Sequence, residues 1–122
     1  MDGIPLIAVV DDDEGMRRSL DGLVRSLGYR VATFSSAEAF LSSAERDGSA
    51  CVISDVQMPG MSGVELTEAI SASGACTPVI LISAFLDDRV TAQARAAGVR
   101  CFLRKPFDGD RLISCLDSAL AS

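Results

Sequence analysis

The sequence contains no histidine and no tryptophan, and aromatic residues make up only 5% of its 122 positions. Without histidine, the chain has no imidazole ligand for a metal ion and no base for a His-dependent catalytic triad. The cysteines are scattered and form no CxxC pair; they are Cys51, Cys76, Cys101 and Cys115. We interpret them as small buried apolar side chains of a reduced, cytoplasmic protein.

The chain also lacks long apolar runs and clusters of positive charge. No run approaches the ~20 apolar residues of a membrane span, and the start of the chain lacks the basic region of a signal peptide. The formal net charge is −6, which argues against direct binding of a phosphate backbone. We therefore expect neither a membrane nor a nucleic acid as a direct partner of this chain.

What the sequence does contain is a fivefold alternation of short apolar runs and segments with helical spacing. Hydrophobic residues make up 48% of the chain, enough for the core of one domain spanning 1–122. The predicted strands are 5–10, 30–34, 51–54, 79–83 and 101–103, and glycines end several of the helical segments between them. This pattern predicts a three-layer α/β fold, with a parallel five-stranded sheet covered by helices on both faces.

Two predicted helix starts carry the capping-box pattern, in which a serine and a later glutamate satisfy backbone N–H groups of the first turn. The pairs are Ser35 with Glu38 and Ser62 with Glu65. The second helical segment is expected to extend from the first pair to near Gly48. The second pair predicts a helix soon after the third strand.

Reactive side chains follow four of the five predicted strands. They are Asp11 and Asp12 after the first, Asp55 at the third, Ser83 at the fourth and Lys105 after the fifth. Open parallel sheets place their sites beyond the carboxyl ends of the strands, so these side chains are expected at one edge. Each has an ordinary explanation when taken singly: an aspartate favours helix N-caps and turns, and a strand-end serine or lysine is commonly structural.

Together these residues indicate phosphoryl chemistry. Three neighbouring carboxylates repel one another unless a cation intervenes, and Mg²⁺ binds carboxylates and phosphate oxygens together. Asp55 can then act as a nucleophile towards phosphorus, with the Lys105 ammonium neutralising charge on the transferred group. The Ser83 hydroxyl can donate a hydrogen bond to that group.

Four segments carry a family resemblance, in this order and spacing: VVDDDEGMRRSL, CVISDVQMPGMSGVEL, PVILISA and FLRKPF. They resemble the receiver domain of two-component response regulators, and the FixJ type in particular. The resemblance covers essentially the whole chain and implies the (βα)5 flavodoxin-like receiver fold. It also implies a signalling domain rather than an enzyme, one that catalyses only its own phosphorylation and dephosphorylation.

The resemblance implies a role for each site residue. Asp55 would be the phosphoacceptor, and Lys105 would pair with the phosphoryl group and form a cis peptide bond with Pro106. Ser83 and Phe102 would form the switch. The Mg²⁺ site would consist of Asp12 as a direct ligand, Asp11 acting mainly through water, Asp55 and the backbone carbonyl of Gln57.

Two aromatic side chains carry further expectations. Phe102 lacks the hydroxyl that would anchor an outward tyrosine, so we expect a modest bias towards its inward position. Phe85 lies two residues past Ser83, and we expect it to shade the phosphoryl group from water and to slow self-dephosphorylation.

The implied partners are a sensor histidine kinase as donor and a second copy of the chain. The dimer would use the surface made by the fourth helix, the fifth strand and the fifth helix. FixJ-type regulators usually continue into a helix-turn-helix DNA-binding domain, so we expect the chain to be the N-terminal part of a transcription regulator. The alternative is a stand-alone receiver that acts through protein contacts.

Two other classes share parts of this pattern. A haloacid dehalogenase-type phosphohydrolase also uses strand-end Asp, Ser and Lys with Mg²⁺, but its nucleophile would be Asp11. A flavodoxin-like electron carrier shares the architecture, yet acidic residues follow the first strand where an anion-binding loop is needed.

Overall fold

Five strands and five helices alternate along residues 3–84 and 87–121, the part of the chain that the structure, a computed structural model, describes. The strands are β1 (Leu6–Val10), β2 (Arg30–Phe34), β3 (Ser49–Asp55), β4 (Val79–Ser83) and β5 (Cys101–Arg104). The helices are α1 (Glu14–Ser26), α2 (Ala37–Leu41), α3 (Gly63–Ala72), α4 (Asp88–Ala97) and α5 (Gly109–Leu120). The strands pair in parallel in the order β2-β1-β3-β4-β5, which confirms the predicted α/β sheet.

Each face of the sheet has its own apolar core, which explains why the central strands are continuously apolar. Successive strand residues point to opposite faces, so Ile53 belongs to one core and Val52 to the other. The first core packs the sheet against α1 and α5, through residues such as Val24 and Leu116. The second core packs the other face against α2, α3 and α4 and includes Phe40. These two layers of helices complete the three-layer architecture.

One of the two predicted capping boxes is confirmed and the other is wrong. The Ser62 side chain accepts a hydrogen bond from the Glu65 N–H at 3.1 Å, and the Glu65 side chain accepts one from the Ser62 N–H at 2.9 Å. At α2 the N-cap is Ser36 rather than Ser35, and it accepts from the backbone N–H of residue 39 at 3.1 Å. Glu38 is therefore not the third residue after the cap, and its side chain bonds elsewhere.

Helix α2 has only 5 residues, whereas the other four helices have 10–13. Helix α2 ends at Leu41, so the prediction that this helix extends to near Gly48 is wrong, and residues 42–48 form turns before β3. Helix α4 has Asp87 as its N-cap, and Gly98 ends it in the left-handed conformation. No helix in the described ranges is long and apolar enough to cross a membrane.

The cysteines only partly follow the prediction that all are small buried apolar side chains. Cys51 is fully buried in the first core, as expected. Cys76 is exposed, because the segment between α3 and β4 lies on the surface. Cys101 and Cys115 form a disulfide that joins β5 to α5, so the prediction of a fully reduced chain is also wrong for this structure.

Candidate functional site

The parallel register brings the predicted site residues to the carboxyl edge of the sheet. In this register Val10 lies opposite Ser54, and Asp55 lies opposite Ile82. Asp11 therefore leaves β1 beside the strand end that carries Asp55. The same alignment places Ser83, the last residue of β4, opposite Arg104 of β5. The residue that follows β5, Lys105, thus leaves the sheet at this edge as well.

Three carboxylates meet at this edge. One carboxylate oxygen each from Asp11, Asp12 and Asp55 lies within 4.8 Å of the other two. Asp11 is 1% exposed, Asp55 is partly buried and Asp12 is exposed. Asp13 has a different task, because it caps α1 by accepting a hydrogen bond from the Gly15 N–H at 3.1 Å. The acidic run after β1 therefore divides into one helix cap and two site residues.

Lys105 reaches into the carboxylate cluster. Its Nζ lies 3.6 Å from Asp11 Oδ2 and 3.6 Å from Asp55 Oδ2, with its side chain 19% exposed. Its backbone N–H donates to the Ser83 carbonyl at 2.8 Å, which fixes the start of the segment after β5. The bond from Lys105 to Pro106 is cis, as expected. One ammonium thus lies between two of the three carboxylates.

Burial works against ionisation of two of these carboxylates. Desolvation by burial raises the pKa of Asp55 above its ordinary value, and repulsion by Asp11 adds to the increase. The Lys105 charge and the backbone N–H groups of Val56 and Gln57 oppose it. Desolvation also raises the pKa of Asp11, while a hydrogen bond from the Asp13 N–H and the charge of Lys105 oppose that increase.

The donor set suits a hard divalent cation. All three side chains offer carboxylate oxygens, the ligands that Mg²⁺ prefers, and they are already close to one another. Three carboxylates beside one ammonium leave negative charge that a cation would neutralise. The residues present therefore fit the predicted magnesium ion.

The loop after Asp55 is fixed from several sides. The Val56 N–H donates to the Ile82 carbonyl at 3.0 Å, and the Gly63 N–H donates to the Val56 carbonyl at 2.9 Å. A Cβ at Gly63 would clash with the Asp55 carbonyl oxygen and would lie 2.9 Å from a methyl group of Leu81. Because Gly63 has no side chain, α3 can begin directly against the end of β3, where Asp55 lies.

Glu38 contacts a loop near the site rather than the helix cap that its position in the sequence predicts. Its Oε2 accepts a hydrogen bond from the Met61 N–H at 3.0 Å, across 23 residues of sequence. Gly60, with φ +77°, lies against the same carboxylate. The sequence showed a glutamate near a helix start, but it held no signal that the partner would be a loop after another strand.

The structure describes three of the four remaining predicted residues, and the roles of all four stay predictions. Ser83 is buried at 1% exposure at the carboxyl end of β4. Phe102 is half-buried and packs against the second core. Gln57 lies in the exposed part of the loop that follows Asp55. Phe85 lies outside the described residues.

The chain matches known proteins over nearly its whole length. Residues 7–117 match the family model of the response regulator receiver domain. The sequence is 39% identical over 114 residues to the transcriptional regulatory protein FixJ of Bradyrhizobium diazoefficiens, covering 93% of this chain and 56% of that protein. It is 37% identical over 119 residues to the response regulator protein TodT of Pseudomonas putida, covering 98% of this chain and 52% of that protein.

Solved structures agree with the sequence matches. The crystal structure of FixJ-N superposes with a TM-score of 0.87 at 32% identity, covering 99% of this chain and 96% of that chain. The chain spans about half the length of the curated relatives named above. These matches support neither the haloacid dehalogenase-type phosphohydrolase nor the electron carrier. With the parallel sheet and the acidic cluster at its carboxyl edge, they show that the chain belongs to the response regulator receiver domain family of two-component systems.

Proposed function

We propose that Asp55 accepts a phosphoryl group from the phosphohistidine of a sensor histidine kinase in the cytoplasm. The observation that carries this proposal is the position of the Lys105 ammonium, 3.6 Å from both Asp11 and Asp55 within a cluster of three carboxylates. An isolated ion pair would need one acidic partner, whereas three clustered carboxylates and an ammonium are arranged to bind a cation and a phosphoryl group.

The transfer itself is a substitution at phosphorus. A carboxylate oxygen of Asp55 forms the new O–P bond, and the P–N bond of the donor breaks. The electron pair of that bond stays on the imidazole, which takes up a proton from solvent. The Lys105 ammonium neutralises negative charge that develops on the phosphoryl oxygens. The Ser83 hydroxyl donates a hydrogen bond to one of these oxygens.

Magnesium completes the proposed site. Asp11, Asp12, Asp55 and the backbone carbonyl of Gln57 would hold the ion. When bound, Mg²⁺ neutralises the carboxylates and the phosphoryl oxygens, which allows these like charges to approach. The loop contacts of Val56 and Gly63 keep the acceptor carboxylate in place during transfer.

We further propose that the phosphoryl group changes the surface made by α4, β5 and α5. Ser83 moves towards the phosphoryl group, and Phe102 turns into the space that Ser83 releases. The charge of the phosphoryl group thus shifts the equilibrium between two conformations of this surface. That surface would then form a homodimer and control transcription through a DNA-binding helix-turn-helix domain. The support for this output is the similarity of the chain to FixJ, which is a transcriptional regulatory protein.

The test is intact mass spectrometry after incubation with Mg²⁺ and acetyl phosphate. The parent chain should gain one phosphoryl group and the Asp55→Ala variant none. Asp47→Ala, which removes an exposed aspartate outside the cluster, should gain one group like the parent. A parent chain that gains nothing, or an Asp55→Ala variant that still gains one group, would contradict the proposal.

A further inference from the structure

The disulfide between Cys101 and Cys115 joins the edge strand to the last helix. Cys101 is the first residue of β5, and Cys115 lies in the middle of α5. Their Cα atoms are 6.0 Å apart, a separation at which two cysteines can bond without backbone movement. The packing of α5 on β5 therefore places this pair at a separation suited to a disulfide bond.

Reagents from solvent can reach the pair. Cys101 is only half-buried, whereas Cys115 is buried at 7% exposure. Both border an open groove of about 400 Å³ that also includes Phe102, Asp108 and Arg111. Cys101, which lies nearer the surface, is therefore the cysteine of the pair that a disulfide molecule from solvent can reach first.

The other two cysteines, Cys51 and Cys76, lie in surroundings different from those of the bonded pair. Cys51 is fully buried, and burial raises the pKa of its thiol to about 12, so almost no thiolate forms at neutral pH. Cys76 is exposed and lies outside the groove. These two residues provide internal controls for chemistry at the bonded pair.

The bond lies next to the proposed switch residue. Cys101 packs against the first core on the α5 side of the sheet, and the next residue, Phe102, packs against the second core on the α4 side. A covalent link at Cys101 therefore fixes α5 to the strand segment that carries Phe102. Any change that moves α5 relative to β5 must act against this link.

We propose that Cys101 and Cys115 form a thiol–disulfide exchange site that takes low-molecular-weight disulfides as oxidant and thiols as reductant. Oxidation ties α5 to β5, and reduction lets α5 move. The part of this inference that concerns signalling rests on the proposed function, because it assumes that phosphorylation at Asp55 moves the α4-β5-α5 surface.

The exchange proceeds in two balanced steps. The thiolate of one cysteine attacks a sulfur of glutathione disulfide, which forms a mixed disulfide and releases one glutathione. The second cysteine, as thiolate, attacks the protein sulfur of that mixed disulfide and releases the second glutathione. The two thiol protons of the protein end on the two glutathione molecules. The protein dithiol is oxidised by two electrons and the small disulfide is reduced by two.

The first experiment equilibrates the full chain in mixtures of glutathione and glutathione disulfide, then counts free thiols by maleimide labelling under denaturing conditions. Cys76→Ser should lose two labels in a single step as the mixture becomes more oxidising. The parent chain should lose the same two labels, and in addition the label of the exposed Cys76, which retains one glutathione because it has no partner cysteine. Cys115→Ser and Cys101→Ser should lack this step and instead retain one glutathione on the remaining cysteine of the pair. Unchanged labelling at every mixture, or loss of the two-label step in Cys76→Ser, would overturn the proposal.

The second experiment measures amide hydrogen exchange in α5 for the oxidised and reduced chain. Without phosphorylation, reduction should speed exchange in α5 roughly tenfold, because the helix can open locally once the link is cut. With Mg²⁺ and acetyl phosphate, the change across α5 should be large in the reduced chain and several-fold smaller in the oxidised chain. Equal exchange in both redox states would overturn the proposal. Failure of acetyl phosphate to modify Asp55 would instead refute the proposed function and leave the redox difference intact.

Discussion

The carboxylate of Glu38, in the first turn of α2, accepts a hydrogen bond from the backbone N–H of Met61 at 3.0 Å. This bond joins α2 to the loop that links the acceptor strand β3 to α3. The adjacent Gly60 adopts φ +77°, and a Cβ there would lie 2.6 Å from the same carboxylate. The loop that begins at Asp55 is thus held at its far end by a residue from another part of the fold.

Removing this contact should loosen the acceptor loop. We expect Glu38→Ala to lower the free energy of unfolding by about 1 kcal/mol, because the Met61 N–H loses its partner. Phosphorylation by acetyl phosphate should slow several-fold in the same variant, as measured by intact mass over time. Glu38→Gln keeps an acceptor oxygen at the same position and should retain most of both properties. An alanine variant that matches the parent in stability and rate would show that the bond does not position the loop.

Gly63 should not tolerate a larger residue. Its Cβ would clash with the Asp55 carbonyl oxygen and approach a methyl group of Leu81. We expect Gly63→Ala to lower the free energy of unfolding by about 1–3 kcal/mol, since overpacking forces the backbone to shift. Urea denaturation measures this change.

The matched control for that substitution is Gly22→Ala in α1. Gly22 lies in the exposed middle of this helix, and its Cβ would meet nothing within 4 Å. Alanine should therefore raise the free energy of unfolding by about 0.5–1 kcal/mol through its greater helix preference. Equal effects of the two substitutions would contradict the argument from close approach.

The raised pKa of Asp55 predicts a pH dependence of stability in the absence of divalent cations. The folded chain binds the Asp55 proton more tightly than the unfolded chain, in which the pKa is near its ordinary value of 3.8. The contribution of Asp55 to the free energy of unfolding therefore falls as pH rises from 3.8 through the raised pKa of the folded chain. Above that pKa the contribution is lost. Asp55→Asn removes the ionisable group, so it should be more stable than the parent at neutral pH.

The measurement is urea denaturation in EDTA between about pH 3.5 and 8, a range chosen to bracket the ordinary carboxyl pKa. The advantage of Asp55→Asn over the parent should grow with pH and vanish near the acidic end. Added Mg²⁺ should stabilise the parent more than Asp55→Asn, since a bound cation removes the penalty for ionisation. A pH-independent difference between the two proteins would contradict the assignment of Asp55 as a carboxylate destabilised by burial.

The sheet and the location of the site could be predicted because both follow from local sequence patterns. Strands buried on both faces are short apolar runs, and intervening helices impose parallel connections. Parallel strands share a carboxyl edge, so Asp11, Asp55 and Lys105 were expected to meet although they are far apart in sequence. The structure confirms that expectation with distances of 3.6 Å from Lys105 to both aspartates.

The contacts that the sequence could not predict are long-range and depend on exact tertiary positions. The partner of Glu38 lies 23 residues away, and no periodic pattern links a helix start to a distant loop. Cys101 and Cys115 have no motif spacing, and their bond depends on how α5 lies on β5. The helix cap predicted at Ser35 is wrong by one residue, since the N-cap is Ser36. A helix that begins after Ser36 places Ala37 and Phe40 in the core, at 0% and 1% exposure.

Lys105→Met should slow phosphorylation of Asp55 by about tenfold or more, because the ammonium no longer neutralises charge on the transferred group. Methionine keeps the length and apolar part of the side chain, so the fold should be retained. Arg104→Met removes a positive charge from the preceding, exposed residue, and it should leave the rate near that of the parent. The time course of phosphoryl incorporation from acetyl phosphate, followed by intact mass, separates the two. Equal slowing in both variants would mean that net charge, rather than the ammonium 3.6 Å from Asp55, governs the reaction.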